Sequence, residues 1–236
     1  LPLDFDKRTF TFKGDKVRLT TLQGRINIPI EIPEYYWKYL DWNYQTAKII
    51  MKDNLYIHIS FSKNINLPIL NNKSIGIDLG INNLAVTSNK QFFNSSLIKK
   101  KKINFKHLRR RLQVKGTKSS KRLLKKISGR EKRFMTWVNH NISKEIINSL
   151  DSGYTIILED LKNIRKQKLS RNMNFWLHNW SFYQLQQFIT YKANLKGIHI
   201  TKVNPYHTSK ICSKCNTIGI RNKNFFKCNN CGYSLN

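Results

Sequence analysis

Over roughly its first 70 residues the chain alternates apolar and polar positions with period two, and beyond that it switches between short apolar runs and helical spacing. Thr9-Phe10-Thr11-Phe12 leads through Lys13-Gly14-Asp15 into Lys16-Val17-Arg18-Leu19, and Gln23-Gly24 separates that hairpin from Arg25-Ile26-Asn27-Ile28-Pro29-Ile30. A further hairpin is predicted from Ala47–Met51 over Lys52-Asp53-Asn54 to Leu55–Phe61. These strands imply part of a small antiparallel barrel or sheet. After the turn-rich Asn71-Asn72-Lys73, the run from Ile75 to Thr87 reads as an apolar strand, a glycine-asparagine turn and a second strand, with Asp78 in the middle of the first. The stretch that follows is mostly helical, with Phe134, Trp137, Val138, Ile142, Ile146 and Ile147 at helical spacing before Leu150. Tyr154 to Asp160 is another buried-type strand, ending in two acids. Ser181-Phe182-Tyr183-Gln184 has the form of a capping box opening a helix through Leu185, Phe188 and Ile189, which Gly197 stops before the strand Ile198–Val203. Hairpin, helix, strand, helix, strand implies a mixed α/β sheet with helices packed on it.

Charge changes this picture most. The 236 residues hold 43 Lys and Arg against 13 Asp and Glu, a formal charge of +30, which calls for a polyanionic partner. A codon bias that enriches Lys would enrich acids too, so it does not account for the imbalance. The cations concentrate between Lys99 and Arg133, where 17 basic residues meet one acid, Glu131. Within it Lys99, Lys100, Lys101, Lys102, Arg109, Arg110, Arg111, Lys121, Arg122, Lys125 and Lys126 are candidate contacts to a phosphate backbone. The alternatives are a solvated helix face and an anionic membrane surface; the stretch lacks the strong aromatic-anchored apolar face that the latter needs. Neither a run of about 18 apolar residues nor a signal-peptide pattern is present, so the expectation is a soluble, cytoplasmic, nucleoid-associated protein without a membrane partner.

All four cysteines lie in the last 25 residues, as Cys212-Ser-Lys-Cys215 and Cys228-Asn-Asn-Cys231 joined by 12 residues. Two such turns can aim four thiolates at one point, so the spacing predicts a structural Zn²⁺ site. Two disulfides are the alternative, disfavoured in a reducing compartment. His207 is the nearest further ligand candidate, and four thiolates leave it no role. Phe225 and Phe226 read as seats for this loop, and Trp176, His178 and Trp180 as core aromatics ahead of a helix, with base stacking as the alternative.

Asp78 is flanked by Ile77 and Leu79, so its carboxylate must reach solvent or a shared polar site. Glu159 ends a second apolar strand, and a parallel neighbour would bring it beside Asp78. Two close carboxylates repel, and a divalent cation relieves them. In so basic a protein clustered carboxylates suggest two-metal phosphodiester hydrolysis with Mg²⁺ or Mn²⁺ held by acidic side chains, a chemistry that normally uses three or more acids where two are well placed here. Asp160 is the local decoy, because adjacent strand residues face opposite ways.

Taken in order, Ile75-Gly76-Ile77-Asp78-Leu79-Gly80, Leu158-Glu159-Asp160-Leu161-Lys162, the segment from Pro205 to Cys215 and Cys228-Asn229-Asn230-Cys231-Gly232-Tyr233 resemble the motifs of the TnpB (OrfB) proteins of insertion sequences, relatives of the type V CRISPR effector nucleases. The resemblance covers about residue 73 to the end and, more loosely, the upstream strands. It implies an RNase H-like (RuvC) mixed sheet over 73–208, missing that family's third acid, a partial wedge-like β domain over 1–72, and a zinc ribbon over 209–236. It further implies Asp78 and Glu159 as the first and second catalytic acids, each holding metal, a guide RNA and a target DNA as partners, and cleavage of that DNA. The chain begins without Met and ends at Asn236 before that third acid, so a piece truncated at both ends is expected. A catalytically inactive nucleic-acid-binding remnant and an RNA-independent transposase or junction resolvase are the competing readings.

Overall fold

Alternation of apolar and polar residues becomes, in the computed structural model, two antiparallel sheets in the first of two compact units, Leu1–Ile65 and Asn66–Asn236. The structure describes residues 2–66, 68–162, 164, 170–206, 210–222 and 225–235. In the first unit β1 (Leu3–Phe5), β5 (Asn43–Met51) and β6 (Leu55–Ser62) form one three-stranded sheet, and β2 (Phe10–Lys13), β3 (Lys16–Thr21) and β4 (Gly24–Pro29) form the other. Phe10, Phe12, Val17 and Leu19 point inward at every second position and close on Ala47, Tyr44 and Phe61. Edge-to-face contacts of Phe10 with Tyr44 at 5.5 Å and Phe12 with Phe61 at 5.6 Å set their packing. The predicted hairpins are present, and Gly14 takes the left-handed conformation at φ +57° that the first tight turn requires. Strand β1 and a 3-10 helix over Glu34–Tyr39 were not legible in the pattern.

The second unit is built on a five-stranded mixed sheet, in the order β11 (His199–Val203), β10 (Thr155–Glu159), β7 (Ser74–Asp78), β8 (Asn83–Thr87), β9 (Phe92–Asn94). β11, β10 and β7 run parallel, and β8 and β9 return antiparallel. Parallel neighbours need long crossovers. One is the antiparallel pair α1 (Ser96–Lys115) and α2 (Lys118–Asn148) between β9 and β10; the other holds α3 (Arg171–Asn179) and α4 (Phe182–Leu195). One sheet face buries Ile75, Ile77, Ile156 and Leu158 in a cluster with Val138, Ile142 and Ile146 of α2 and Leu185, Ile189 and Ala193 of α4. Each such aliphatic side chain contributes about 1.5–3 kcal/mol by leaving water. The remaining strands, β12 (Ile220–Asn222), β13 (Phe225–Lys227) and β14 (Ser234–Leu235), make a small antiparallel sheet among the cysteines.

Two local expectations change. Asp78 closes β7 rather than sitting within it. Ser181 does precede α4, yet its side chain makes no cap bond, because its hydroxyl accepts from Asn139 Nδ2 of α2 at 2.8 Å; Gln184 takes the same amide at 2.9 Å. A cross-helix bond to a buried Asn therefore displaces the local capping box. Gly197 ends α4 in the left-handed region, φ +71°, as expected. Among the described residues, no helix is long and apolar enough to cross a membrane.

Candidate functional site

The parallel register pairs Ile77 of β7 with Leu158 of β10, so Asp78 and Glu159 occupy the next step on adjacent strands. Alternation puts both on the face opposite buried Ile77 and Leu158: Asp78 is exposed and Glu159 half-buried. Asp160 falls on the other parity and turns back into its own loop, its carboxylate 3.6 Å from Lys162 Nζ and accepting the Lys162 amide at 3.2 Å. Two contacts that the sequence did not announce steady this pair. Buried Gln186 of α4 donates its side-chain amide to the Glu159 carbonyl at 2.7 Å. Ser95, at the start of α1, lies with its hydroxyl 2.7 Å from the Ile81 carbonyl and 2.6 Å from that of Asn82, gripping the turn that follows Asp78. Lys99 Nζ donates to Asn82 Oδ1 at 2.6 Å on the same turn. A buried polar residue in an otherwise apolar helix face, as at Gln186, was the available signal.

The basic stretch forms α1 and the first half of α2, joined at Gly116 and capped by the Thr117 hydroxyl on the Ser120 amide. Lys100, Lys101, Arg110, Arg111, Lys121, Arg122, Lys125 and Lys126 are exposed, and Lys99 and Arg109 are half-buried. Lys102 stands apart. It is 7% exposed, donates to the Asn179 carbonyl at the end of α3 at 2.5 Å, and lies 3.8 Å from Glu131. Arg109 donates to the other oxygen of Glu131. Burial pushes the Lys102 pKa below its ordinary value, with Glu131 pulling it back up and Arg109 pushing it down. Its ammonium therefore serves a junction of three helices.

Of the aromatics, Trp180 is buried beside Phe182, and Trp176 receives Lys99 at 5.7 Å from its ring centroid. Phe226 packs on Cys212 and Cys228, whereas Phe225 stays exposed.

The four cysteines are free thiols whose sulfurs all lie within 4.8 Å of one another. Cys212 and Cys231 are 3.5 Å apart, Cys215 and Cys228 3.4 Å. A tetrahedral ion with Zn–S bonds of about 2.3 Å needs edges of roughly 3.8 Å, so the donor set fits such an ion. Backbone turns build this convergence: the Asn216 amide returns to the Cys212 carbonyl, with Asn216 at φ +56°, and the Gly232 amide to the Cys228 carbonyl, with Gly232 at φ +70°. The Thr217 hydroxyl holds the Cys215 thiol down to about 5, while Cys231, against the lowering pull of the Tyr233 amide, is pushed up to about 12 by Cys215, desolvation and Cys212. Crowded thiols that cannot all ionise alone are the arrangement a cation resolves. His207 lies outside the described residues.

These features define the class first: a mixed α/β protein with a clustered thiol set and the fold of Cas12f chains. The Cas12f chain of a ternary complex superposes over 100% of this chain and 62% of its own length, at TM-score 0.57 and 16% identity. A chain from a Cas12f1–sgRNA–target DNA complex does so over 100% and 63%, at TM-score 0.54 and 18% identity. Family models described as "Probable transposase" and "Cas12f1-like, TNB domain" match residues 63–166 and 182–236. A TnpB-like protein of Methanocaldococcus jannaschii is 34% identical over 94% of this chain and 86% of its own. The CRISPR-associated endodeoxyribonuclease Cas12f1 of Sulfoacidibacillus thermotolerans is 42% identical over 44% of this chain and 24% of its own. The chain belongs to the TnpB-like family. It spans less than two thirds of the Cas12f chains it resembles.

Proposed function

We propose that the protein is a transposon-associated, RNA-guided DNA endonuclease whose second unit is a RuvC-type, RNase H-like nuclease fold with a zinc ribbon at 209–236. The placement of Asp78 and Glu159 carries this reading: two acids on one sheet face, one step past a parallel register pair, where a basic chain meets a polyanion. Bound there, Mg²⁺ or Mn²⁺ would activate water and stabilise the leaving oxygen. Asp78 and Glu159 hold that charge, and Gln186 and Ser95 fix the backbones that carry them. The exposed cations of α1 and α2 take the phosphates of guide RNA and target DNA, Lys102 being left to Glu131. Membership of the TnpB-like family supports the same assignment.

One observation favours a second reading, nucleic-acid binding without hydrolysis. Among the described residues, the cysteines are the one group of three or more potential metal ligands, so no third acid joins Asp78 and Glu159. The experiment is purification with co-expressed RNA and assay of Mg²⁺-dependent cleavage of a matched duplex, beside Asp78→Ala. Cleavage abolished by that substitution with nucleic-acid binding retained is the expected result. Binding without cleavage by the unsubstituted protein establishes the inactive reading, and cleavage of a defined site by RNA-free protein overturns guidance by RNA.

A further inference from the structure

Trp137 lies 62% exposed on α2, in the middle of the apolar residues that bury themselves against the sheet. Its neighbours one and two positions on, Val138 and Asn139, are buried, so the indole belongs to the helix's outer edge. It stacks on Phe134, one turn earlier, with centroids 6.3 Å apart and planes 25° from parallel. Lys101 of α1 sits over the Phe134 ring at 4.4 Å. The assembly is a short column of cation, phenyl and indole, and its last face is open. Three other rings near α1 each receive one of its lysines: Phe134 takes Lys101, Phe175 takes Lys106 and Trp176 takes Lys99. Among the described residues no cation covers Trp137.

The charges around it narrow the occupant. Arg130, Arg133 and Lys144 stand seven and four residues before it and seven after it, on one helix face, and all are exposed. The Arg133 guanidinium lies over Gly129, where a Cβ would come within 3.1 Å of its Nη1, so it reaches along the helix away from the indole and leaves the ring uncovered. Glu131 is on the buried side and committed to Arg109 and Lys102. An apolar protein surface would match the ring but strand these cations without partners. A nucleotide satisfies both, with its base continuing the stack and its phosphates meeting the lysine and arginines. Base and phosphate are common to DNA and RNA, so the group this site recognises is a nucleotide of a single strand.

We propose that the open face of Trp137 is a stacking site for an unpaired base of a nucleic-acid single strand, with Phe134 and Lys101 backing the ring. It rests on the basic helices binding nucleic acid and adds a base-directed contact that backbone binding does not supply.

The test uses the full chain and a fluorescent thymidine oligonucleotide of about 15 nucleotides, compared with an abasic strand of the same length. The protein binds the base-bearing strand with quenching of tryptophan emission, and Trp137→Ala weakens it by roughly tenfold while leaving abasic affinity unchanged. Trp137→Phe retains most of the difference. Circular dichroism of each variant establishes that the helices are intact. Equal affinity of wild type and Trp137→Ala for the base-bearing strand overturns the site, as does equal loss on both strands; a uridine strand read in parallel separates DNA from RNA as the source. Salt-dependent binding that survives with no effect of Trp137 defeats this inference alone; absence of any salt-dependent binding defeats the phosphate reading beneath it.

Discussion

Replacing Glu131 by Gln tests the junction that organises the basic helices. Glu131 is the one acid between Lys99 and Arg133, and its side chain is 12% exposed, against 8% for Lys102 and 30% for Arg109. The substitution keeps the shape of the side chain and removes its charge. Lys102 is then a buried ammonium whose remaining partner is the Asn179 carbonyl. Breaking a buried ion pair from one side costs roughly 3–5 kcal/mol. The Arg109 share is worth nearer a surface pair, about 0–1 kcal/mol, because that side chain reaches solvent. We expect a loss of about 3 kcal/mol, a large part of the 5–15 kcal/mol that holds a typical domain. Urea denaturation followed by far-UV circular dichroism reads it as a lower midpoint at unchanged slope. The pH dependence has a definite sign. Burial sets the folded Lys102 pKa below its unfolded value of 10.5, so the unfolded chain binds more protons between the two and stability rises with pH there. Removing the Glu131 charge removes the influence that raises the folded value, so the deficit narrows as pH climbs toward 10. Adding Lys102→Met to Glu131→Gln recovers most of the loss. A deficit below about 0.5 kcal/mol at pH 7, the range of ordinary surface changes, refutes the reasoning, and so does one that grows toward pH 10.

Other outcomes follow from the same geometry. Cys228→Ser removes a fully buried thiol from the four-sulfur cluster and is expected to lower bound zinc well below one equivalent, measured by elemental analysis, and to loosen the segment from Cys212 to Tyr233. Replacing Lys121, Arg122, Lys125 and Lys126 together by Ala lowers the slope of log affinity against log salt by about 3 to 4 on duplex DNA, at about 0.9 for each phosphate no longer neutralised; an unchanged slope places the phosphate-binding cations elsewhere. Gly197→Ala puts a Cβ 2.9 Å from both Pro68 Cδ and Ser152 Oγ at a φ of +71°, and is expected to cost roughly 1–3 kcal/mol in thermal unfolding of the second unit.

Period-two alternation, the helical spacing before Leu150 and the glycine turns were sufficient to read most strands and the long α2, because each depends on the rotation per residue of a short stretch of backbone. The cysteine pairs were legible for the same reason: two residues between thiols are enough to form a turn. Elements with weak periodicity were not, among them β1, which exists through its pairing of Leu3–Phe5 with Ala47–Ile49, and the 3-10 helix at Glu34–Tyr39, which buries no residue. A sequence motif also failed at Ser181, where Asn139, 42 positions away, outcompeted the local cap.

Asp78 and Glu159 could be singled out from the chain as acids at apolar strands, but nothing local says that β10 lies next to β7. That adjacency is decided by helices α2 and α4 covering one face of the sheet, and it joins residues up to 81 positions apart, as Thr155 and Ser74 are. The same holds for the cations. Four consecutive lysines stand in the first turns of α1 with equal charge in the sequence, and packing makes Lys102 a buried partner of Glu131 while Lys100 and Lys101 remain in solvent. Composition determined the excess of positive charge that points to a polyanion; only tertiary structure decided which of those charges the protein presents, because burial is a property of neighbours that the chain brings together from far away.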